Sequence, residues 1–257
     1  MLVKRSIGLV IVLFWCVMNF LFIKRQLDAP APVITVLGTE KITESSEEWW
    51  GVFYRGEKIG YASQTITPKA KGYSLTDRSV LQLNLMGAVQ PATTRLELEA
   101  NEDWILEDFT FELVSNEIRF GVEGRFRDGT LKLEIDSAGH KSSRELVLPQ
   151  APYLLAALKP YVVTQQLETG KKFLFSTLDP STLSQQVTTV VIEGRERIRV
   201  GDRNEAAIKL RQSFRGISIT SWVDGHGRTL KEESPAGLSL MRENAQDARK
   251  LPGRAVS

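Results

Sequence analysis

Hydrophobic and polar residues alternate along most of the chain between positions 49 and 222. A period of two gives a strand one apolar face and one polar face, as in antiparallel sheets that cover a core on one side. We therefore predict a mainly β fold. The clearest alternating segments are 81–85, 95–100, 109–113, 118–126, 131–135, 187–192, 198–200, 206–210 and 217–223.

Short glycine-containing turns separate these segments, for example Asp128-Gly129 and Ala138-Gly139. Glycine, asparagine and aspartate readily take the positive φ that tight hairpins need. Closely spaced strands joined in this way predict a meander that curls into a half-barrel, a barrel or a sandwich. The segment around Gly170 to Ser184 divides the β region into two halves. We favour one curved antiparallel sheet or half-barrel, with a crossover near the middle of the chain, over two independent domains.

Two stretches depart from the alternation and predict helices. Residues 152–158, PYLLAAL, are compact and apolar, and Pro160 is expected to end this short helix. It is expected to cover an open end or the concave face of the sheet. Residues 239–250 are rich in helix formers and place Met241, Ala245 and Ala248 on one helical face.

Residues 6–23, SIGLVIVLFWCVMNFLFI, form an uncharged apolar run flanked by cations on both sides. About 18 such residues reach the lower limit for spanning a bilayer as a helix. A cleaved signal peptide, the open alternative, needs small residues after the apolar core, where this chain has bulky ones. A lipoprotein needs small residues before its cysteine, whereas Phe14 and Trp15 precede Cys16. We predict an uncleaved transmembrane anchor.

The anchor sets the expected organisation and location of the chain. A short N-terminal tail stays easily in the cytoplasm, so the long C-terminal part is expected outside the inner membrane, in a bacterial periplasm. The predicted domains are the anchor at 6–23, a linker at 24–48, a β-rich soluble domain at 49–250 and a flexible tail at 251–257. The linker contains the stiff segment Asp28-Ala-Pro-Ala-Pro32.

Composition narrows the range of functions. The chain has 257 residues, with 33 Lys and Arg against 31 Asp and Glu, and this balance argues against a dedicated nucleic-acid binder. Its single cysteine, Cys16, lies inside the apolar run. The exported part is therefore expected to have neither a disulfide nor a thiol nucleophile.

The sequence offers little catalytic chemistry. Its two histidines, His140 and His226, lie in glycine-flanked turns far apart in sequence, which gives a poor case for a metal site. Asp224 and Ser221 are close to His226, but neighbours in a strand and its turn do not by themselves form a triad. No phosphate-binding or dinucleotide-binding glycine motif follows a strand. We predict a non-enzymatic protein and assign no catalytic, cofactor-binding or metal residues and no cofactor.

The segment Trp50-Gly-Val-Phe-Tyr-Arg-Gly-Glu-Lys-Ile-Gly-Tyr61 resembles the opening hairpin of a bacterial envelope β domain. That domain occurs in uncharacterised proteins and ahead of transglutaminase-like modules, whose Cys-His-Asp machinery lies in a following domain. The resemblance spans most of residues 49–245 and implies an accessory role, with a separate transglutaminase-like partner. Its other features are Leu178-Asp-Pro-Ser-Thr182, Ser221-Trp-Val-Asp224 with Gly227, and Leu230-Lys-Glu232 before Pro235-Ala-Gly237.

Three functional hypotheses follow. The first is a membrane-anchored binding or scaffold module of the cell envelope, with an envelope protein as partner. The second is a carrier or sensor of an apolar, lipid-like ligand held in the concave sheet under the helix at 152–158. The third is a hydrolase that uses acidic residues or His226. We favour the first, and a filled interior without a pocket of about 300 Å³ would exclude the second.

Overall fold

The computed structural model describes residues 33–34, 42–85, 88–116, 118–165, 168–179 and 181–251. The predicted anchor at 6–23 lies outside these residues, as do most of the linker and most of the tail. Within the described residues, no helix has the length and apolar character needed to cross a membrane. The chain divides into two compact units, residues 1–33 and 34–257, and almost all of the described residues lie in the second.

Strands make up most of the described chain, and the first of them, β1, spans the boundary between the units. Strand β2 begins three residues before the predicted start of the domain. The strands are β1 (Val33–Ile34), β2 (Ser46–Tyr54), β3 (Glu57–Lys69), β4 (Gly72–Leu85), β5 (Ala88–Ala100), β6 (Leu106–Ser115), β7 (Arg119–Arg127), β8 (Thr130–Ser137), β9 (His140–Val147), β10 (Lys172–Asp179), β11 (Ser184–Val200), β12 (Arg203–Phe214), β13 (Ile217–Val223), β14 (Thr229–Glu233) and β15 (Leu238–Glu243).

Two antiparallel meanders join into one sheet. Strands β2 to β9 follow one another, as do β10 to β15, and β15 pairs with β2, so the order runs from β10 through β15 and β2 to β9. This confirms the predicted single curved sheet with a crossover in mid-chain. The crossover joins β9 to β10, however, and residues 172–179 of the predicted dividing segment form β10 itself. Strands β9 and β10 do not pair with each other, so the sheet is open. The closed barrel among the predicted alternatives is therefore wrong.

The hairpin turns follow the sequence prediction. Asp128 and Gly129 have φ of 49° and 77°, and Ala138 and Gly139 have φ of 51° and 90°. Positive φ at both central residues is the type I′ geometry, whose twist matches that of the flanking strands. These turns fix the registers of β7 with β8 and of β8 with β9.

A short helix, α1 (Leu155–Thr164), packs against the concave side of the sheet. The structure confirms the covering helix but corrects its limits. Before the helix the chain is extended, and the Tyr153 N–H donates to the Ser176 carbonyl at 2.8 Å. Pro160 lies inside the helix instead of ending it. Because proline lacks an N–H, Pro160 removes one backbone hydrogen bond, the one that Ala156 would accept, and the helix continues to Thr164.

The second predicted helix is wrong over most of its length. Residues 238–243 form β15, which pairs with both β14 and β2, and only Ala245–Ala248 are helical, as α2. Pairing on both edges satisfies the backbone N–H and C=O groups of β15, and that gain outweighs the helix propensity of the segment. Asn244 caps the short helix by accepting the Asp247 N–H at 2.8 Å.

The main core lies between α1 and the concave side of the sheet. It draws side chains from β4 to β8 and from β10 to β13, so both meanders contribute. Leu133 and Leu158 are at most 1% exposed. Burying a leucine of this kind is worth about 2 kcal/mol, which makes this core the chief source of stability. The other apolar side chains of this core at or below 1% exposure are Leu75, Leu131, Ala157, Val162, Phe175, Val190, Ile192, Leu210 and Val223.

Candidate ligand-binding cavity

A cavity of about 1040 Å³ opens between α1 and the inward faces of β2 to β5. The turn between β13 and β14 and parts of β12, β13 and β14 complete its wall. Its surface is mainly apolar, and the aliphatic lining includes Leu75, Leu96, Leu98, Val163, Leu178 and Leu240. A few polar side chains interrupt this lining, and they define its chemistry.

Three polar side chains form one row across neighbouring strands. Glu48 on β2 pairs in register with Gln64 on β3, and Gln64 pairs with Asp77 on β4. All three line the cavity. Since adjacent strands are about 4.8 Å apart, Glu48 and Asp77 lie roughly 10 Å from each other across Gln64. The Gln64 Nε2 amide donates to Asp77 Oδ1 at 2.8 Å.

Of these side chains, Asp77 has the pKa that burial changes most. It occupies an inward position in phase with the buried Tyr73 and Leu75, so the protein around it removes much of its contact with bulk water. This burial raises the pKa of Asp77 to about 6, against smaller lowering effects of the Gln64 hydrogen bond and the Lys159 charge. Among the described residues, no cation lies within 4 Å of this carboxylate.

Glu48 has an arginine beside it. Its Oε1 lies 3.5 Å from a guanidinium nitrogen of Arg242 on β15, and Arg242 also lies 3.7 Å from Asp224 Oδ2. Burial raises the pKa of Glu48, and the positive charge of Arg242 is the largest effect opposing that shift. These ion pairs connect β2, β15 and the turn after β13 at one end of the cavity.

Lys159 on α1 reaches across the cavity wall to β14. Its Nζ pairs with Glu232 Oε1 and donates to Thr229 Oγ1 at 2.9 Å. Ser221 Oγ donates to the same Glu232 oxygen at 2.8 Å, and Gln212 Nε2 donates to Ser221 Oγ at 3.0 Å. The side chains of Lys159 and Glu232 are only 17% and 18% exposed, so this is a shielded and electrically neutral network.

Gly227 allows the turn between β13 and β14 to press against α1. Its φ is +80°, and a Cβ atom there would lie 2.5 Å from Pro160 Cα, closer than real Cβ contacts allow. Only glycine combines this conformation with such a close backbone approach. The turn therefore holds α1 at a fixed distance from the sheet, and this spacing helps define the cavity.

The residues considered for hydrolysis have other partners. Ser221 is fully buried and bonds to Glu232 and Gln212. Asp224 Oδ1 accepts the backbone N–H groups of His226 at 2.9 Å and Arg228 at 3.0 Å, which organises the turn. Within the described residues, no hydrogen bond joins the imidazole of His226 to Ser221 or Asp224. His226 is exposed beside the cavity, and His140 is exposed at the start of β9.

The described residues also contain no group of three or more His, Cys, Asp or Glu side chains placed to hold a metal ion. The residues that give the cavity its character, Gln64, Asp77 and Lys159, were not identified from the sequence. One signal was present. Asp77 falls at an inward position of β4, in phase with the apolar Tyr73, Leu75 and Leu81.

Comparison with known proteins places the fold but not the function. No protein-family model matches the chain, and no curated protein matches it significantly. A β-barrel-like protein of the domain of unknown function DUF1849 from Brucella abortus aligns with a TM-score of 0.56 at 8% identity, covering 77% of this chain and 94% of that one. The chain shares the fold of this protein. The predicted resemblance to an uncharacterised β domain is thus confirmed at the level of fold, whereas the link to transglutaminase-like proteins stays a prediction.

A DUF1089 family protein from Pseudomonas aeruginosa also aligns, covering 80% of this chain and 98% of that one at 11% identity. Its TM-score is 0.36, which is too low to support a conclusion about shared architecture. At these identities neither protein bears on the residues of the cavity.

Proposed function

We propose that this chain is a non-enzymatic binding module of the cell envelope that holds a ligand with an apolar body in the cavity beside α1. The observation that carries the proposal is the cavity of about 1040 Å³ on the concave side of the sheet. Small-molecule sites usually occupy about 300–1,000 Å³, so a lipid-sized molecule fits this space.

The composition of the wall supports the same proposal. Ligand sites are commonly lined by apolar side chains with a few well-placed polar groups that orient the ligand. Here Leu96, Leu98 and Val163 supply apolar surface, while Asp77 and Gln64 supply polar atoms at one position. A protein that served only as a scaffold would gain stability by filling this space. The cavity thus favours the carrier or sensor hypothesis over a purely structural module.

Binding of a neutral apolar probe tests this function. The full-length chain is reconstituted in nanodiscs of zwitterionic lipid, and fluorescence of N-phenyl-1-naphthylamine is measured after subtraction of empty nanodiscs. Ala62→Phe places a ring at a cavity-lining position of β3, and we expect it to abolish the protein-dependent signal. The control Thr67→Phe adds the same ring at an exposed position of the same strand and is expected to keep that signal. Equal binding by both variants would exclude the cavity as the site.

The location in the envelope is a separate part of the proposal and is supported by the apolar run at 6–23 with its short N-terminal tail. A reporter that is active only outside the inner membrane, fused to the C-terminus, is expected to be active. Activity of a cytoplasm-only reporter at the same position would contradict the proposed orientation.

The association with a transglutaminase-like partner is supported by the sequence resemblance, and crosslinking in membranes followed by purification of this chain tests it.

A further inference from the structure

We propose that the ligand carries a primary ammonium group and that the Asp77 carboxylate binds it, so that the cavity selects cationic amphiphiles. This inference rests on the proposed binding function and adds the chemical class of the ligand. Among the described residues, three carboxylates line the cavity, those of Glu48, Asp77 and Glu232.

Two of these three carboxylates already have cationic partners. Glu232 pairs with Lys159, and Glu48 lies beside Arg242. Asp77 has only the neutral Gln64 as a side-chain partner among the described residues. A carboxylate removed from bulk water without a cation is unfavourable, because desolvation disfavours the charged form. A ligand cation would supply the missing partner.

The geometry around Asp77 suits an ammonium group. Gln64 holds Oδ1 and thereby orients the carboxylate, while Oδ2 accepts no hydrogen bond from the described residues. The next inward row contains Ser79 on β4 and Thr94 on β5. Their hydroxyl groups share one hydrogen bond of 2.7 Å, and both residues line the cavity. An ammonium has three donors and no acceptor, so a carboxylate beside hydroxyl oxygens can satisfy it.

Apolar surface flanks this polar position on its other side. The preceding inward row joins Ile66, Leu75 and Leu98 in register, and all three line the cavity. An alkyl chain extending from an ammonium at Asp77 can cover this surface and leave water. The wall thus offers one polar position and one apolar region, as an amphiphile requires.

The cations of the wall make an anionic headgroup the weaker choice. Among the described residues of the wall, Lys159 is bound by Glu232 and Thr229, and Arg228 is bound by Asp224 at 2.7 Å. Arg78 also borders the cavity, but it is exposed and adjoins Asp77 on β4, so its side chain lies on the opposite face of the strand. An anion between α1 and the inward faces would therefore have to displace a partner of Lys159 or Arg228 or share its cation. A neutral alcohol can donate to Asp77, but it cannot neutralise the charge. A ligand ammonium gains the charge-assisted bond without breaking an existing pair.

Displacement of the naphthylamine probe by matched ten-carbon compounds tests the inference. Decylammonium, decanol, decanoate and decyltrimethylammonium are titrated at pH 7.5 into the full-length chain in zwitterionic nanodiscs, with empty nanodiscs subtracted. We expect decylammonium to displace the probe at about tenfold lower concentration than decanol, the usual scale of a hydrogen bond to a charged group. Decyltrimethylammonium carries the same charge but lacks N–H donors, so it should displace the probe only at higher concentrations than decylammonium does.

Variants assign the preference to Asp77. Asp77→Asn is expected to abolish the advantage of decylammonium over decanol. Glu97→Gln removes a carboxylate from the adjacent strand β5, where Glu97 pairs with Arg95, and is expected to keep the advantage. Because the four compounds are also compared on the unaltered protein, the test stands even if Asp77→Asn fails to fold.

The outcomes separate this inference from the proposed function. Equal displacement by decylammonium and decanol, or strongest displacement by decanoate, would overturn the ammonium assignment while apolar binding stood. Retention of the full decylammonium advantage in folded Asp77→Asn would also overturn it. If no compound displaced the probe, or if the probe did not bind, the proposed function would fail together with the inference.

Discussion

The concave side of the sheet is filled in one region and hollow in another, although both regions show the same alternation of residues. On β8 and β10 the inward side chains of Leu133 and Phe175 are at most 1% exposed, and neither lines the cavity. On β3 and β4 the inward positions carry Gln64 and Asp77 beside open space. Alternation decides which side chains point inward, whereas their volume and polarity decide whether the interior fills.

Helix α1 lies between these two regions and contributes to both. Leu158 and Val162 are fully buried and belong to the core. Lys159 and Val163, from the same helix, line the cavity. If the comparison is correct, substitutions in the filled region should change stability strongly, and substitutions beside the cavity should change binding more than stability.

The largest effect is expected from truncation in the filled region. Leu133→Ala removes a side chain that is 1% exposed and should lower the free energy of unfolding by about 3 kcal/mol, since the neighbours cannot close the space. Leu96→Ala acts on a half-buried residue beside existing open space, so the expected loss is about 1 kcal/mol. Urea denaturation of both variants, monitored by circular dichroism, measures the difference between their unfolding free energies.

The control for this pair is Lys132→Ala, next to Leu133 on the outward face of β8. Its side chain is 69% exposed and pairs with Glu145, so we expect a change within about 0.5 kcal/mol. Equal losses for Leu133→Ala and Leu96→Ala would show that the two regions are packed alike. The distinction between a filled and a hollow region would then be wrong.

An intermediate effect is expected where the turn after β13 holds α1. Gly227→Ala combines a φ of +80° with a Cβ atom 2.5 Å from Pro160 Cα, so either the turn or α1 must move. We expect a loss of roughly 2 kcal/mol in unfolding free energy, together with altered binding of the apolar probe. The same denaturation and fluorescence measurements report both effects.

Gly225→Ala is the matched control in the same turn, because a Cβ atom there would meet nothing within 4 Å. It should change stability and probe binding little. A Gly227→Ala variant with unchanged stability and unchanged binding would mean that this turn does not fix the position of α1. The boundary between filled and hollow regions would then depend on α1 packing alone.

The sequence predicted those strands whose two faces differ, and it missed strands whose faces are alike. Strand β9 (His140–Val147) is exposed along almost its whole length and shows no alternation, so the Ala138-Gly139 turn before it was its only signal in the sequence. Strand β15 contains the helix formers Leu240, Met241 and Arg242, and its pairing partner β2 lies far away in sequence. Local propensity could not report that long-range pairing.

The cavity shows a different limit. The position of Asp77 in an inward series could be seen in the sequence, but its neighbours Gln64 and Lys159 come from other elements whose register and packing the sequence did not reveal. An inward carboxylate is usually matched by a cation across the sheet. Only the assembled structure shows that Lys159 bonds to Glu232 instead. The cavity also depends on how α1 and several strands pack together, so no single segment of the sequence predicts it.

The smallest effect is expected from the pH dependence of stability at Asp77. The pKa of Asp77 is raised from an ordinary value of 3.8 to about 6 in the folded protein. Below pH 3.8 the group is protonated in the folded and unfolded states alike. As the pH rises towards 6 the folded state holds its proton more tightly than the unfolded state does, so stability falls through this range.

Asp77→Asn removes this titration, so its stability relative to the unaltered protein should increase between about pH 4 and pH 6.5, by an amount on the order of 1 kcal/mol after allowance for water in the cavity. Parallel urea denaturations at several pH values measure this difference, and titrations shared by both proteins largely cancel. A difference that did not change with pH would mean that Asp77 is as well solvated as an ordinary surface acid. Added decylammonium should reduce this difference in unfolding free energy above pH 6, because a bound cation stabilises the ionised Asp77 carboxylate of the unaltered protein. The filled region has no such unpaired charge among its described residues and should show no such dependence on the ligand.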